Sequence, residues 1–530
     1  MNATRIIVVA CMAILLGVPM LFRPESAAMP DDARRLIIIT PHNEQIRQEF
    51  AEAFDAWHTE AYGERVEVIY NVPGGTSEIR KLLLAQFEAD LRRGDDVGGN
   101  ADLVFGGGSY EHGVLRDGVE VNVDGEIRST SISAPVDFDD AWLDEIFGEN
   151  KIADITLYDP EKHWFGVALS GFGIVYNRDI LEVLDVTFPR APGDDADPRA
   201  PLLWSDMCHP DMRRWLALVN PGQSGSVTTA FEAILKQKGW HDGWATLRRM
   251  GANARYFSAT SSKPPTDVSQ GDAAMGVAID FYGRFQSQAL LASIGDDRVG
   301  YVDPPGVSTI DPDPISMLRG APNEEIAKRF IEFSLSDAGQ ALWQFRADDD
   351  SDDGLGPTEF ELRRMPIRRS FYTTYLPRFV DQVNPFELAA PMRYPDRNFR
   401  AFIPSLFASM AMDNHELLKE AWTCIVEHDA YPHDHVGIVR AADVTDPVLR
   451  EMLEAFDALP DVPTPDGERY SLDDVTLLGD IKKGWLRDGW AEHGLWAKEA
   501  SPEDVLRRTF GTFFREQYQT IIDLAHAPAG

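Results

Sequence analysis

The sequence predicts an α/β protein that ends in a mostly helical region, and three observations carry that expectation. Short apolar, β-branched runs alternate with segments of helical period between residues 36 and 343. Several of these runs are followed by glycine- or serine-rich loops. After an acidic, glycine-bearing stretch at 348–356 the strand signals stop and amphipathic stretches take over. With 530 residues the chain exceeds one ordinary core, so two or three domains are expected.

Taken in order, Leu36-Ile37-Ile38-Ile39-Thr40 reads as a buried strand and Pro41-His42-Asn43 as a turn. From Glu44 to His58 the apolar residues Ile46, Phe50, Phe54 and Trp57 recur near helical period. Val66–Tyr70 is a second strand, and Pro73-Gly74-Gly75-Thr76-Ser77-Glu78 opens a helix that buries Leu82, Leu83 and Phe87. Ala101–Phe105 is a third strand, running into Gly106-Gly107-Gly108. Such alternation implies a parallel-type sheet with helices on both faces. Gly166–Leu169, Gly173–Asn177 and Leu216–Val219 continue the strands, and Ser224-Gly225-Ser226 opens a helix over Val227–Lys238. The run Met275–Ile279 delivers Asp280, Phe281 and Tyr282 at its end. A long helix is expected over Ala321–Trp343, capped by Asn323. In the last third, helices are expected at Phe399–Met412, His415–Val426, Val448–Leu459 and Pro502–Ile522.

Composition narrows the function. A formal net charge of −36 argues against nucleic acid and anionic membrane surfaces as partners, since both demand basic patches. Arg5 precedes an apolar run from Ile6 to Phe22, with small residues at Ser26, Ala27 and Ala28. This reads as an export signal over residues 1–28, with an uncleaved anchor over 6–22 as the alternative. Cys11 falls in that segment, which leaves Cys208 and Cys424, too far apart in sequence for a disulfide framework; one bridge or two separate thiols remain open. Asp349, Ser351, Asp353 and Gly354 imitate the start of a calcium loop, but Phe360 stands where the twelfth-position acid belongs, so a solvated loop is expected. His428, His433 and His435 fit no common zinc spacing and read as surface or capping residues. No phosphate-loop lysine motif, nucleophile elbow or His-Glu-x-x-His occurs.

The loops are the candidate site. Gly74-Gly75-Thr76-Ser77 and Ser224-Gly225-Ser226 each follow a strand and open a helix, where free N–H groups hold phosphate or carboxylate without lysine or arginine. Asp280 would suit an amine or hydroxyl if it faces the cleft, and Phe281, Tyr282 and Trp164 could pack on a carbon skeleton.

These residues resemble, in order and spacing, the extracellular solute-binding proteins of ABC transporters. The landmarks are Leu36–Asn43, Gly74–Ile79, Ala101–Phe105, Gly173–Asn177, Trp204–Met207, Asn220–Ser226, Gly271–Gly283, Asp303–Gly306 and Ala327–Gln340. They fit the type II periplasmic group with ferric-, thiamine-, polyamine-, phosphonate- and sugar-phosphate-binding members, over roughly residues 30–345. The resemblance implies two α/β lobes joined by crossing strands, with ligand captured by hinge closure and passed to a membrane permease. Its lobes would be 30–165 with 300–350, and 166–299, leaving 351–530 as a helical extension. It implies an exported, periplasmic monomer with no catalysis, no cofactor and no nucleic-acid partner. The residues assigned to ligand on loop chemistry and resemblance together are His42, Asn43, Gly75, Thr76, Ser77, Gly107, Gly108, Ser170, Gly171, Ser224, Gly225, Ser226, Asp280 and Tyr282. The expected ligand is a small anionic or zwitterionic organic molecule, such as a phosphonate or sugar phosphate. Ferric iron, held by Tyr282 and Asp280, is the alternative. Ferric-binding members use two adjacent tyrosines, whereas here Phe281 stands beside Tyr282, and Gly106-Gly107-Gly108 replaces the expected glutamate. A secreted enzyme using Asp280, or a ligand sensor, is the competing class on the same scaffold.

Overall fold

The computed structural model describes residues 33–94, 97–306, 309–347, 354–464, 467–485 and 502–527. The export signal, Cys11 and the calcium-like residues Asp349–Asp353 lie outside them.

The first body is built on a seven-stranded mixed sheet. Strand β1 (Arg34–Ile39) pairs in parallel with β2 (Val66–Asn71) and with β3 (Leu103–Phe105). Leu36 and Ile38 alternate with less buried neighbours, placing one face of β1 in the core. Helix α1 (Glu44–Tyr62) follows β1: Asn43 Oδ1 accepts from the Ile46 N–H at 3.1 Å, and Gly63, at φ 74°, ends it. Helix α2 (Thr76–Arg93) follows β2, and α3 (Ser109–Asp117) follows β3.

At β4 (Phe165–Ser170) the chain reaches the hinge. Gly171 separates it from β5 (Phe172–Asn177), which belongs to a second, five-stranded sheet. That sheet continues with β6 (Leu216–Val219), helices α4 (Gly225–Lys238) and α5 (Trp240–Asn253), β7 (Ala254–Ser258), α6 (Lys263–Gln270), β8 (Met275–Ile279), α7 (Asp280–Ile294) and β9 (Val299–Val302). Its order is β7-β6-β8-β5-β9, with β6 parallel to β7 and β8, and β5 antiparallel to β8 and β9.

The chain then returns to the first sheet as β10 (Asp311–Leu318), antiparallel to β3 and β4. The lobes therefore change over at 171 and between 302 and 311, so β4 belongs to the first lobe and β9 to the second, against the boundaries at 166 and 300 set by sequence. The long helix expected over 321–343 is two helices, α8 (Glu324–Leu335) and α9 (Asp337–Gln344). The Ser336 hydroxyl starts the second by accepting from Gly339 N–H at 3.4 Å. Asn323 does not cap α8; its Nδ2 donates to Asp102 at 3.2 Å.

The first lobe does not end at 350. Met365–Pro366 form β11, antiparallel to β4, which completes the order β11-β4-β10-β3-β1-β2, with Ser133–Ala134 a short addition to β10. Leu362, Met365 and Ile367 are buried in the same core as Leu36, Phe105 and Trp343. Only later does the chain cross again, into α10 (Phe399–Phe407), α11 (His415–Val426), α12 (Pro447–Asp457) and α13 (Pro502–Ala525).

These late helices are continuous with the second lobe. Trp422, Phe456, Phe510, Phe514 and Tyr518 share one buried cluster with Phe231, Trp240, Trp244 and Leu247. Trp422 stacks on Phe456 and donates its indole N–H to Asn253 at 3.0 Å. At about 1.5–3 kcal/mol for each large apolar side chain buried, this is a shared core and not a docked tail. Buried Arg249 ties it further, donating to Asp457 at 2.6 and 3.2 Å and to the Val439 carbonyl at 2.7 Å.

Candidate functional site

In both lobes the parallel strands point their carboxyl ends at the same place. In the first lobe β1 runs into Pro41–Asn43, β2 into Val72–Thr76 and β3 into Gly106-Gly107. In the second, β6 runs into Gln223–Ser226, β7 into Ala259–Ser262 and β8 into Phe281 and Tyr282. Carboxyl ends of parallel strands are where open α/β sheets place their ligands. Between them lies a cavity of about 550 Å³, within the range that accepts a small organic molecule.

Of the residues assigned from sequence, His42, Asn43, Gly75, Thr76, Gly107, Ser224, Ser226 and Tyr282 line this cavity. The others do not, each for a local reason. Ser77 is buried in the first turn of α2. Gly108 lies against Asp311, which caps α3 by accepting from the Ser109 hydroxyl at 2.7 Å and its N–H at 3.2 Å. Ser170 sits behind Arg364 and accepts from its Nη2 at 2.8 Å. Gly171 packs between the two hinge segments, against Ile310 and Asp303. Gly225 is a contact between lobes: its N–H donates to Thr76 Oγ1 at 3.1 Å, and a Cβ there would meet that oxygen at 2.3 Å and Glu111 Oε1 at 2.6 Å.

Asp280 also turns away. It is 1% exposed, accepts from the Phe281 N–H at 2.8 Å through Oδ1, and leaves Oδ2 without a partner beside Gly171. Burial, relieved by Arg284 and reinforced by Asp303, pushes its carboxyl up to about 7. It belongs to the hinge. Trp164 is likewise buried away from the cavity.

The polar floor was largely missed from sequence. His42 Nε2 lies 2.8 Å from Asp313 Oδ2 and 3.0 Å from Arg364 Nη1, and Arg364 Nη1 also pairs with Asp313. The Gly107 N–H donates to Asp313 Oδ1 at 2.7 Å. Burial opposes ionisation of Asp313, but Arg364, His42 and the Gly107 N–H outweigh it and hold the carboxyl down at about 2. Burial lowers the His42 imidazole despite Asp313, favouring its neutral form. The Arg364 guanidinium lies over the Phe281 ring at 4.5 Å, reaching from one lobe to the other. Burial raises the Tyr282 phenol, with Arg364 acting against it.

Asp313 gave no sequence signal because it sits in an antiparallel return strand, among Asp311-Pro312-Asp313-Pro314. Arg364 fell beyond the boundary set at 351, and Thr260–Ser262 follows β7, a strand whose mixed composition hid it. Away from the cavity lining, one arginine bridges the lobes: Arg400 on α10 donates to Glu111 at 3.0 Å in the first lobe and to Glu232 at 3.0 Å and Thr229 at 2.9 Å in the second.

Among the described residues no group of three or more His, Cys, Asp and Glu is placed to hold a metal ion. Cys208 and Cys424 are both free thiols. His428 and His435 face Asp446 and Asp443 at 3.6 and 3.7 Å, and His433 packs on Tyr431. No helix among the described residues is long and apolar enough to cross a membrane.

Residues 125–348 match the family model of the bacterial extracellular solute-binding protein. The matched region is somewhat under half of this chain, and over it the chain is similar to that family. Among characterised relatives, the phosphoglycerate transport regulatory protein PgtC of Salmonella typhimurium is 30% identical over 176 residues, 33% of this chain and 39% of its own length. The match thus spans well under half of that relative. Among solved structures, a substrate-binding protein of an ABC transporter from Agrobacterium tumefaciens shares 16% identity over 72% of this chain and 96% of its own, with a TM-score of 0.49. The periplasmic binding protein AfuA from Actinobacillus pleuropneumoniae, with fructose-6-phosphate bound, shares 16% identity over 73% and 97%, with a TM-score of 0.45.

Proposed function

We propose that this protein is the capture receptor of an ABC importer for a small organic anion or zwitterion carrying a phosphoryl, phosphonyl or carboxyl group. One observation carries the reading. Two helix N-termini, at Gly75-Thr76 and Ser224–Ser226, and, among the described residues, a single arginine, Arg364, face one cavity of about 550 Å³ between two hinged lobes. Helix N-termini attract oxyanions through free N–H groups and the helix dipole. Hydroxyls of Thr260, Ser261 and Ser262 add donors beside Ser224, and Phe281, Tyr282 and Phe285 offer aromatic surface to a carbon skeleton. The 30% identical relative is named for phosphoglycerate transport, which agrees with a phosphorylated ligand.

Binding would close the lobes about Gly171 and the second crossing, at 303–306 and 309–310, and a permease would receive the ligand as they reopen. The role needs no cofactor, and the protein would act as a monomer. Ferric iron is the competing cargo. Thermal unfolding with 3-phosphoglycerate, fructose 6-phosphate, a phosphonate and ferric citrate separates the two. The reading requires a shift with a phosphorylated or zwitterionic compound, and a shift with ferric citrate alone defeats it. The relative's name also includes a regulatory role, so a sensor that reports the same ligand is the second reading. Co-purification with permease subunits, as against a sensor kinase, distinguishes them.

A further inference from the structure

Among the described residues lining the cavity, Arg364 is the only arginine or lysine; the acids are Asp313 and Glu361. It lies beyond the family-matched region, on the segment that adds β11 to the first sheet. The residue is 5% exposed, held by Asp313, His42 and Ser170 and lying over the faces of Phe281 and Trp343. Two polar atoms of this group have no partner, Arg364 Nε and His42 Nδ1. A neutral histidine that donates through Nε2 to Asp313 keeps Nδ1 as an acceptor. The guanidinium keeps N–H donors beyond those given to Asp313 and Ser170, as a bidentate oxyanion contact requires.

The same set without Arg364 has the opposite character. Asp313 would stay as a buried carboxylate beside an imidazole, with the Tyr282 phenol in the same cavity wall. Those are donor types that hold hard or borderline metal cations. Arg364 occupies the position beside Asp313 that a cation would take, and repels any second positive charge in a site of low dielectric.

We propose that Arg364 sets the sign of the charge this cavity accepts, selecting an organic oxyanion and excluding metal cations. The inference rests on the capture of an anionic ligand proposed above and names the residue that enforces it.

The test is calorimetric titration of wild type, Arg364→Gln, Arg364→Lys and the Arg364→Gln/Asp313→Asn double variant with 3-phosphoglycerate, inorganic phosphate and Zn²⁺. Loss of charge-assisted hydrogen bonds should weaken binding of the anion that wild type takes by roughly 10- to 100-fold in Arg364→Gln. Arg364→Lys should recover part of it. Arg364→Gln should also bind Zn²⁺ where wild type does not. The double variant removes the unpaired carboxylate that could unfold Arg364→Gln, and should lose anion binding without gaining Zn²⁺. The His42 imidazole, followed by NMR, should titrate higher in Arg364→Gln, a shift that lost packing alone would not produce. Equal anion affinity in wild type and Arg364→Gln, with no gain of Zn²⁺, overturns the proposal. Wild type that binds Zn²⁺ and no anion overturns the proposed function itself. If wild type binds none of the probes, Zn²⁺ binding by Arg364→Gln still decides for or against Arg364 as the barrier to cations.

Discussion

The two faces of the cavity differ in kind. Among the described residues, every charged side chain on its wall, Asp313, Glu361 and Arg364, comes from the first lobe, as does His42. The second lobe offers Ser224, Ser226, Thr260, Ser261, Ser262 and Gln286, with Phe281, Tyr282 and Phe285. The charged face is anchored on a sheet: β10 carries Asp313, β4 ends in Ser170, β1 leads to His42 and β11 adjoins Arg364. A buried ion pair is tolerable only where such neighbours satisfy it in advance. The neutral face can close on a ligand at far smaller desolvation cost. The lobes thus divide the work: one fixes charge, the other covers.

The largest effect should come from unbalancing the charged face. Asp313→Ala leaves Arg364 buried without its carboxylate, and breaking such a pair costs about 3–5 kcal/mol. Denaturant unfolding should show that loss, whereas Ser224→Ala on the opposite face should cost about 1 kcal/mol through a lost cap. Near-equal losses would break the comparison. The pH dependence is fixed in sign. Asp313 is held at about 2, below an unfolded value of about 3.9, so its contribution is complete above pH 4 and lost as pH falls towards 2.

Asp280 runs the other way. Its folded carboxyl, at about 7, binds a proton more tightly than the unfolded chain does, so stability falls as pH rises from about 4 to 7 and stays lower above that. Asp280→Asn should therefore stabilise the protein at pH 8 by up to about 4 kcal/mol and change little at pH 4. Arg284, Asp303, Tyr301 and Tyr372 are the ionisable groups coupled to it, and they remain in place. Unfolding curves at pH 4 and 8 check it; a variant no more stable than wild type at pH 8 would show that the hinge carries no such penalty.

Contact between the lobes comes next. Gly225→Ala places a Cβ against Thr76 Oγ1 and Glu111 Oε1, the carboxylate that Arg400 grips from the second lobe. Overpacking of this size costs about 1–3 kcal/mol. Because the clash lies between two bodies, it should be relieved by opening, seen as a larger radius of gyration in X-ray scattering with an unchanged circular dichroism spectrum. An unchanged radius would mean that the lobes do not separate there.

The fold was legible where one face or one loop states its chemistry. Leu36–Ile39, Leu216–Val219 and Met275–Ile279 announce buried strands by composition, and Gly75-Thr76 and Ser224–Ser226 announce helix starts. What stayed hidden depends on partners distant in sequence. Asp280 ends a strand just as a ligand-facing acid would, yet its direction is set by Arg284, Asp303 and Gly171 around the hinge. Arg364 follows an acidic loop and resembles one of a solvated pair with Arg363; only the pairing of Met365–Pro366 with β4 turns it into the cavity. The helices after 399 resemble an extension in sequence because amphipathic spacing shows that a face is buried, and not against what.

The smallest effect should come from the neutral face. Tyr282→Phe removes one hydroxyl and keeps the ring that lies 4.1 Å from Phe281. A neutral hydrogen bond contributes about 0.5–1.5 kcal/mol, so affinity for 3-phosphoglycerate should fall by roughly 2- to 10-fold with stability unchanged. Burial raises the phenol above its ordinary value, so it stays protonated and donates through the whole neutral range. The affinity lost should accordingly be the same at pH 6 and pH 8. A loss beyond about 100-fold, or one that appears only at high pH, would mean that Tyr282 carries charge recognition as a phenolate, and the division between a charged lobe and a neutral one would fail.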